Sequence, residues 1–97
     1  MDEIARSAIP RKAKVAAKLL ISYGAKEVYL FGSRATGKAK RGSDFDLAIK
    51  GLPAREFYRA AGEVFELLRM PVDIVDLDSD SPFTRYLQAH GALVRVA

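Results

Sequence analysis

Two short apolar runs separated by a small, basic segment constrain this chain more than any other feature. Val28-Tyr29-Leu30-Phe31 stops abruptly at Gly32-Ser33, and nine residues after Arg34 the chain resumes as Ser43-Asp44-Phe45-Asp46-Leu47. β-Branched and aromatic residues in a short run favour extended backbone, and Gly-Ser ends the run in a turn. In the second run apolar and acidic residues alternate, so Phe45, Leu47 and Ile49 share one face while Asp44 and Asp46 share the other. A chain patterned in this way has to build a sheet with one face on a core and two carboxylates on the opposite face. Those carboxylates are costly to hold together unless a cation joins them. Gly32 and Ser33 add N–H groups and a hydroxyl that can approach a phosphate closely.

The flanking segments supply helices and more strands. Ile9 to Tyr23 reads as a helix with Pro10 in its first turn, Gly24 past its end, and Val15, Ala16, Leu19, Leu20 and Tyr23 on its apolar stripe. Strand one is Glu27 to Phe31, and strand two is Asp44 to Lys50. The loop between them contains Gly37 and Gly42, with a helical turn expected from Ser33. After the Gly51-Leu52-Pro53 turn, Ala54 to Arg69 forms a helix with Phe57, Ala61, Val64, Phe65 and Leu68 inward, stopped by Met70-Pro71. Val72 to Leu77 is strand three, with Val72 and Ile74 on one face and Asp73 and Val75 on the other. A turn at 78–82, a helix from Phe83 to His90 capped at Gly91, and a closing strand from Ala92 to Val96 complete the order. The expected fold class is α/β (α+β), a mixed sheet of about four strands backed by helices, with residues 1–97 as a single domain.

Composition narrows the chemistry further. With no cysteine, thiolate metal sites, disulfides and thiol nucleophiles are excluded. The one histidine, His90, falls at a helix end where it suits the last carbonyls better than catalysis. The net charge of +4 is compatible with polyanions, but the bases fall into two groups. Arg11, Lys12, Lys14 and Lys18 lie on a solvated helix face, whereas Arg34, Lys38, Lys40 and Arg41 lie in the loop suited to phosphate. Direct nucleic-acid binding is not expected. No stretch approaches the roughly 18 apolar residues of a membrane span, and no leader pattern opens the chain, so a cytoplasmic protein without membrane contact is expected. Asp76, Asp78 and Asp80 read as strand-end and turn residues, and Tyr23, Tyr29, Tyr58 and Tyr86 as rims of the core.

Strand, Gly32-Ser33, basic loop, Ser43-Asp44-Phe45-Asp46-Leu47 and the third acid in Val72-Asp73-Ile74-Val75 together resemble the nucleotidyltransferase superfamily of DNA polymerase β. Within it the chain is similar to the minimal nucleotidyltransferase (MNT) group, from about Leu20 onward. The resemblance implies a Mg²⁺-dependent enzyme using ATP, with two Mg²⁺ ions (or Mn²⁺) about 3.5 to 4 Å apart. A triphosphate and three aspartates could not share a partly desolvated pocket without divalent cations, and oxygen donors alone select Mg²⁺ or Mn²⁺ over zinc. By the same resemblance Asp44 and Asp46 bridge both metals, and Asp73 contacts the catalytic one and helps activate the acceptor. Gly32 and Ser33 hold the β- and γ-phosphates, while Arg34 and Ser43 support nucleotide binding.

MNT proteins are typically paired with a HEPN-type toxin. The resemblance therefore implies an antitoxin that transfers AMP from ATP to a hydroxyl, that of a tyrosine, on a HEPN partner. Two other readings share the fold: a non-catalytic antitoxin that binds and occludes its partner, and a nucleotidyltransferase for a small-molecule acceptor. No side chain in the sequence is an evident reader of the base.

Overall fold

The computed structural model describes residues 10–31, 45–70, 72–90 and 93–97. Among them are three helices and four strands: α1 (Arg11–Ser22), β1 (Glu27–Phe31), β2 (Phe45–Lys50), α2 (Ala54–Leu68), β3 (Val72–Asp76), α3 (Pro82–His90) and β4 (Val94–Arg95). The strands form one mixed sheet in the order β3-β2-β1-β4. β1 runs antiparallel to both neighbours, and β2 pairs parallel with β3. A parallel pair needs a long crossover, which α2 supplies between β2 and β3. This is the α+β architecture that the sequence pattern predicts.

Each helix boundary has a local cause. Pro10 precedes α1 with extended backbone. At the other end the Gly24 N–H bonds to the Ile21 carbonyl at 2.9 Å and the Ala25 N–H reaches back to the Leu20 carbonyl at 3.1 Å. With Gly24 at φ +117° and both Leu20 and Ala25 buried, this is a Schellman cap with its apolar contact. α2 ends through Arg69, a non-glycine residue held at φ 56°. There the Lys12 ammonium of α1 lies 3.4 Å from the Leu68 carbonyl, opposite the negative end of the α2 dipole. α3 starts with Ser81 and Thr84 capping one another: the Ser81 N–H donates to Thr84 Oγ1 at 3.1 Å and the Thr84 N–H to Ser81 Oγ at 3.2 Å.

The sheet separates two apolar clusters. On one face Val28, Leu30, Leu47 and Ile49 pack with Ala13, Ala16, Ala17 and Leu20 of α1 and Ala60, Val64 and Leu68 of α2. On the other face Ala48, Leu77 and Leu87 form a smaller cluster, joined by Tyr29, Phe31, Val75 and Leu93. α3 therefore covers the sheet face opposite α1 and α2.

Several expectations are corrected. Val15 and Phe65, expected in the core, are 37% and 53% exposed, and Ala13, Ala17 and Ala60 take the inward positions. Alanine allows the helices to approach one another and the sheet closely, so the inward stripes are rotated away from the largest apolar residues. Tyr58 and Tyr86 are exposed at 85% and 60%, not core rims. Among the described residues the closing strand is Val94–Arg95, shorter than the Ala92 to Val96 expected. Beyond it, the Val96 and Ala97 N–H groups both donate to the Val28 carbonyl, at 2.8 and 3.2 Å, a bulge that ends regular pairing. Ile9, the turn at Ser33, the residues from Gly32 to Asp44, Pro71, Gly91 and Ala92 lie outside the described residues.

Candidate active site

Register brings the acids together. Along β2 the even-numbered positions Asp46 and Ala48 share a face, and along β3 Asp73 and Val75 do so. Because Ala48 and Val75 belong to the α3-side cluster, Asp46 and Asp73 lie on that same side of the sheet. The parallel pairing sets Asp46 opposite Asp73, and the antiparallel pairing sets Phe31 opposite Asp46. A row Phe31–Asp46–Asp73 therefore crosses three strands, with each step about 4.8 Å, the spacing of paired strands. Asp46 is half-buried in the interior strand, and Asp73 is exposed on the edge strand. The row lies at the strand ends where the chain leaves β1 and enters β2, the ends that flank the Gly-Ser and Ser-Asp motifs.

The later acids serve the turn that launches α3. Asp76 Oδ1 accepts the Asp78 N–H at 2.9 Å, Asp78 Oδ2 accepts the Gly51 N–H at 2.7 Å, and Asp80 pairs with Arg85 at 3.1 Å. Among the described residues no cluster of three His, Cys, Asp or Glu side chains has metal-binding geometry, so Asp46 and Asp73 stand as a pair. As donors they fit a hard divalent cation: two carboxylates on one face of adjacent strands, with oxygen ligands only. Gly32, Ser33, Arg34, Ser43 and Asp44 lie outside the described residues.

One component went unnoticed in the sequence. The Phe83 ring, in the first turn of α3, meets the Phe31 ring edge-on, with centroids 6.5 Å apart and planes inclined at 61°. Phe83 is nevertheless 52% exposed. Its position after Ser81-Pro82 marks it as first-turn, but only the packing of α3 across the sheet reveals its neighbour.

On the same face, toward the opposite strand ends, the Tyr29 hydroxyl donates to Glu27 Oε1, and the Arg95 guanidinium lies 5.6 Å over the Tyr29 ring. The hydrogen bond to Glu27 is the main reason that the Tyr29 phenol is pushed up from its ordinary value, with desolvation and the Glu27 charge adding to it and Arg95 opposing.

A mixed sheet with a parallel pair presenting in-register aspartates, beside the end of the strand that precedes Gly32-Ser33 in the sequence, is a frame for nucleotidyl transfer. Residues 16–95 match the polymerase beta nucleotidyltransferase family, and the chain belongs to that family. Its fold is similar to that in the crystal structure of a toxin–antitoxin with AMP-PNP, at TM-score 0.70 and 28% identity over 91% of this chain and 73% of that one. A minimal nucleotidyltransferase is similar at TM-score 0.65 and 26% identity, covering 82% of this chain and 86% of that one. A structure of a tri-AMPylated Shewanella oneidensis HEPN toxin with its MNT antitoxin shares the fold at TM-score 0.62 and 22% identity, over 100% of this chain and 72% of that one. No curated protein matches the sequence. Among the described residues no helix is long and apolar enough to cross a membrane.

Proposed function

We propose that this chain is a Mg²⁺-dependent adenylyltransferase that transfers AMP from ATP to a tyrosine hydroxyl of a HEPN-type partner and so acts as its antitoxin. The observation that carries this reading is the in-register Asp46–Asp73 pair on a polymerase beta nucleotidyltransferase fold. The similarity to a toxin–antitoxin with AMP-PNP supports both the adenine nucleotide and the protein partner. Residues 1–97 act as a single catalytic domain, in the cytoplasm.

In the reaction the acceptor oxygen bonds to the α-phosphorus while the bond from that phosphorus to the pyrophosphate oxygen breaks. The hydroxyl proton passes to the Asp73 carboxylate and then to water. Asp44, Asp46 and Asp73 would hold the cations. When bound, Mg²⁺ offsets the charge on the triphosphate and the leaving pyrophosphate. Gly32 and Ser33 receive the β- and γ-phosphates, and Arg34 and Ser43 support nucleotide binding. Because Asp73 lies on the exposed edge strand, an acceptor on another protein can reach it without passing through the sheet.

The test is incubation with Mg²⁺ and ATP labelled at the α-phosphate in lysate of the source organism, alongside Asp46→Asn. A labelled protein band that needs Asp46 is expected. Neutralisation of the partner by Asp46→Asn as fully as by the native chain, with no label transferred, would instead identify a binding antitoxin. Label passing to a small molecule without any partner would identify a different acceptor.

A further inference from the structure

The acid pair has two unlike flanks. On the Asp73 side the sheet ends at the edge strand β3, while on the Asp46 side it continues into β1, where Phe31 lies opposite Asp46. Phe31 is half-buried and supports Phe83, whose ring is 52% exposed despite this contact. Among the described residues Phe31 is the ring that Phe83 meets, and half of the Phe83 side chain remains exposed near the pair of carboxylates. From Asp46 to the Phe83 ring the path is one strand step of about 4.8 Å and a 6.5 Å ring-to-ring step. A nucleotide held at the acids through its phosphates covers a path of that order through its ribose to its base.

We propose that Phe83, backed by Phe31, is the platform on which the nucleobase of the bound nucleotide stacks. The inference rests on the nucleotidyltransferase reading above and adds where the base lies and how it is recognised. The triphosphate lies over the Asp46–Asp73 pair, the base lies toward β1 and α3, and the acceptor enters from the open β3 edge. Contact with Phe31 at 61° steadies the Phe83 ring while half of that side chain stays exposed, which leaves surface on which a flat ligand can stack. Phenylalanine contributes no hydrogen bond, and every base has a π-face, so recognition at this wall is by stacking and not by reading an edge. Purines, with the larger ring system, are favoured over pyrimidines by contact area alone, and ATP and GTP are treated alike.

The experiment is isothermal titration of the full chain, in Mg²⁺, with ATP, GTP and inorganic tripolyphosphate, for the native protein, Phe83→Ala, Phe83→Leu and Phe83→Trp. Phe83→Ala is expected to weaken ATP and GTP binding by about 5- to 150-fold, the range for losing one base–aromatic stack, and to leave tripolyphosphate binding unchanged. Phe83→Leu, which keeps apolar bulk in the first turn, is expected to lose nucleotide affinity in the same selective way if the alanine variant is poorly folded. Phe83→Trp is expected to retain it. Equal loss for tripolyphosphate would reduce Phe83 to a packing residue, and unchanged ATP affinity in the alanine and leucine variants would remove the platform. A native protein that binds tripolyphosphate as tightly as ATP would overturn the base wall while leaving the anion site intact. If the native protein binds neither ligand, the nucleotidyl-transfer reading fails and the platform with it.

Discussion

Asp46 and Asp73 stand opposite one another across the parallel β2–β3 pair, on the sheet face covered by α3. Together they offer a divalent cation carboxylate oxygens from two adjacent strands. Asp73→Asn removes the charge of one of them. Adding Mg²⁺ should then stabilise the native protein more than the variant, because a ligand that binds only the folded state stabilises according to its affinity. Thermal melts with and without Mg²⁺ check this, and identical Mg²⁺ responses in the two proteins would count against a cation at the pair.

The Gly51 turn has no room for a side chain. Its φ is +83°, and a Cβ there would lie 2.7 Å from Lys26 Cγ and 2.8 Å from Lys26 Cβ. The second of those atoms is fixed to the backbone, and the Lys26 N–H is held to the Lys50 carbonyl at 2.7 Å, so Lys26 cannot swing clear. Gly51→Ala should cost about 1–3 kcal/mol, the range for a residue forced into a sparsely populated conformation. A urea melt should show a lower midpoint with an unchanged slope.

Much of the sheet was legible in the sequence because period-two patterning assigns faces residue by residue. β1 occupies the range the pattern predicts, and Asp73 and Val75 share the face opposite Val72 and Ile74. The helices were less legible. Hydropathy favours the largest apolar residues, so it chose Val15 and Phe65, whereas close packing of α1 and α2 on the sheet selects Ala13, Ala17 and Ala60. At the candidate site, alternation put each acid on a face, but strand order and register, which set Asp46 against Asp73, depend on contacts remote in sequence. Phe83 was invisible for the same reason, since its neighbour Phe31 lies on the first strand of the sheet.

Tyr29 offers a pH signature of the sheet. Its hydroxyl donates to Glu27, which favours the protonated phenol, so its folded value lies above the 10.0 of the unfolded chain. For a group whose folded value is raised, the stabilisation is fully present below pH 10.0 and is lost as pH rises through the folded value. Tyrosinate absorbance should show a phase above the ordinary tyrosine range that Tyr29→Phe removes. Glu27→Gln should bring that phase toward lower pH, because a neutral amide accepts the hydrogen bond without repelling the phenolate.

Thr84 ties the helix start to the site. It is 3% exposed, its hydroxyl donates to the Ser79 carbonyl at 2.5 Å, and its Oγ1 accepts the Ser81 N–H at 3.1 Å. Valine preserves the shape but leaves that carbonyl and that N–H without their partner. Thr84→Val should therefore cost about 0.5–1.5 kcal/mol, the net worth of a hydrogen bond whose freed partners can reach water, read as a lower urea midpoint. Phe83 immediately precedes Thr84, so loosening this cap frees the ring that rests on Phe31. The expected further effect is on nucleotide and not on tripolyphosphate affinity, in the same direction as Phe83→Ala but smaller. Thr84→Ser, which keeps the hydroxyl, should restore both stability and affinity. If the valine variant loses stability while its ATP affinity is untouched, the cap acts on the fold alone.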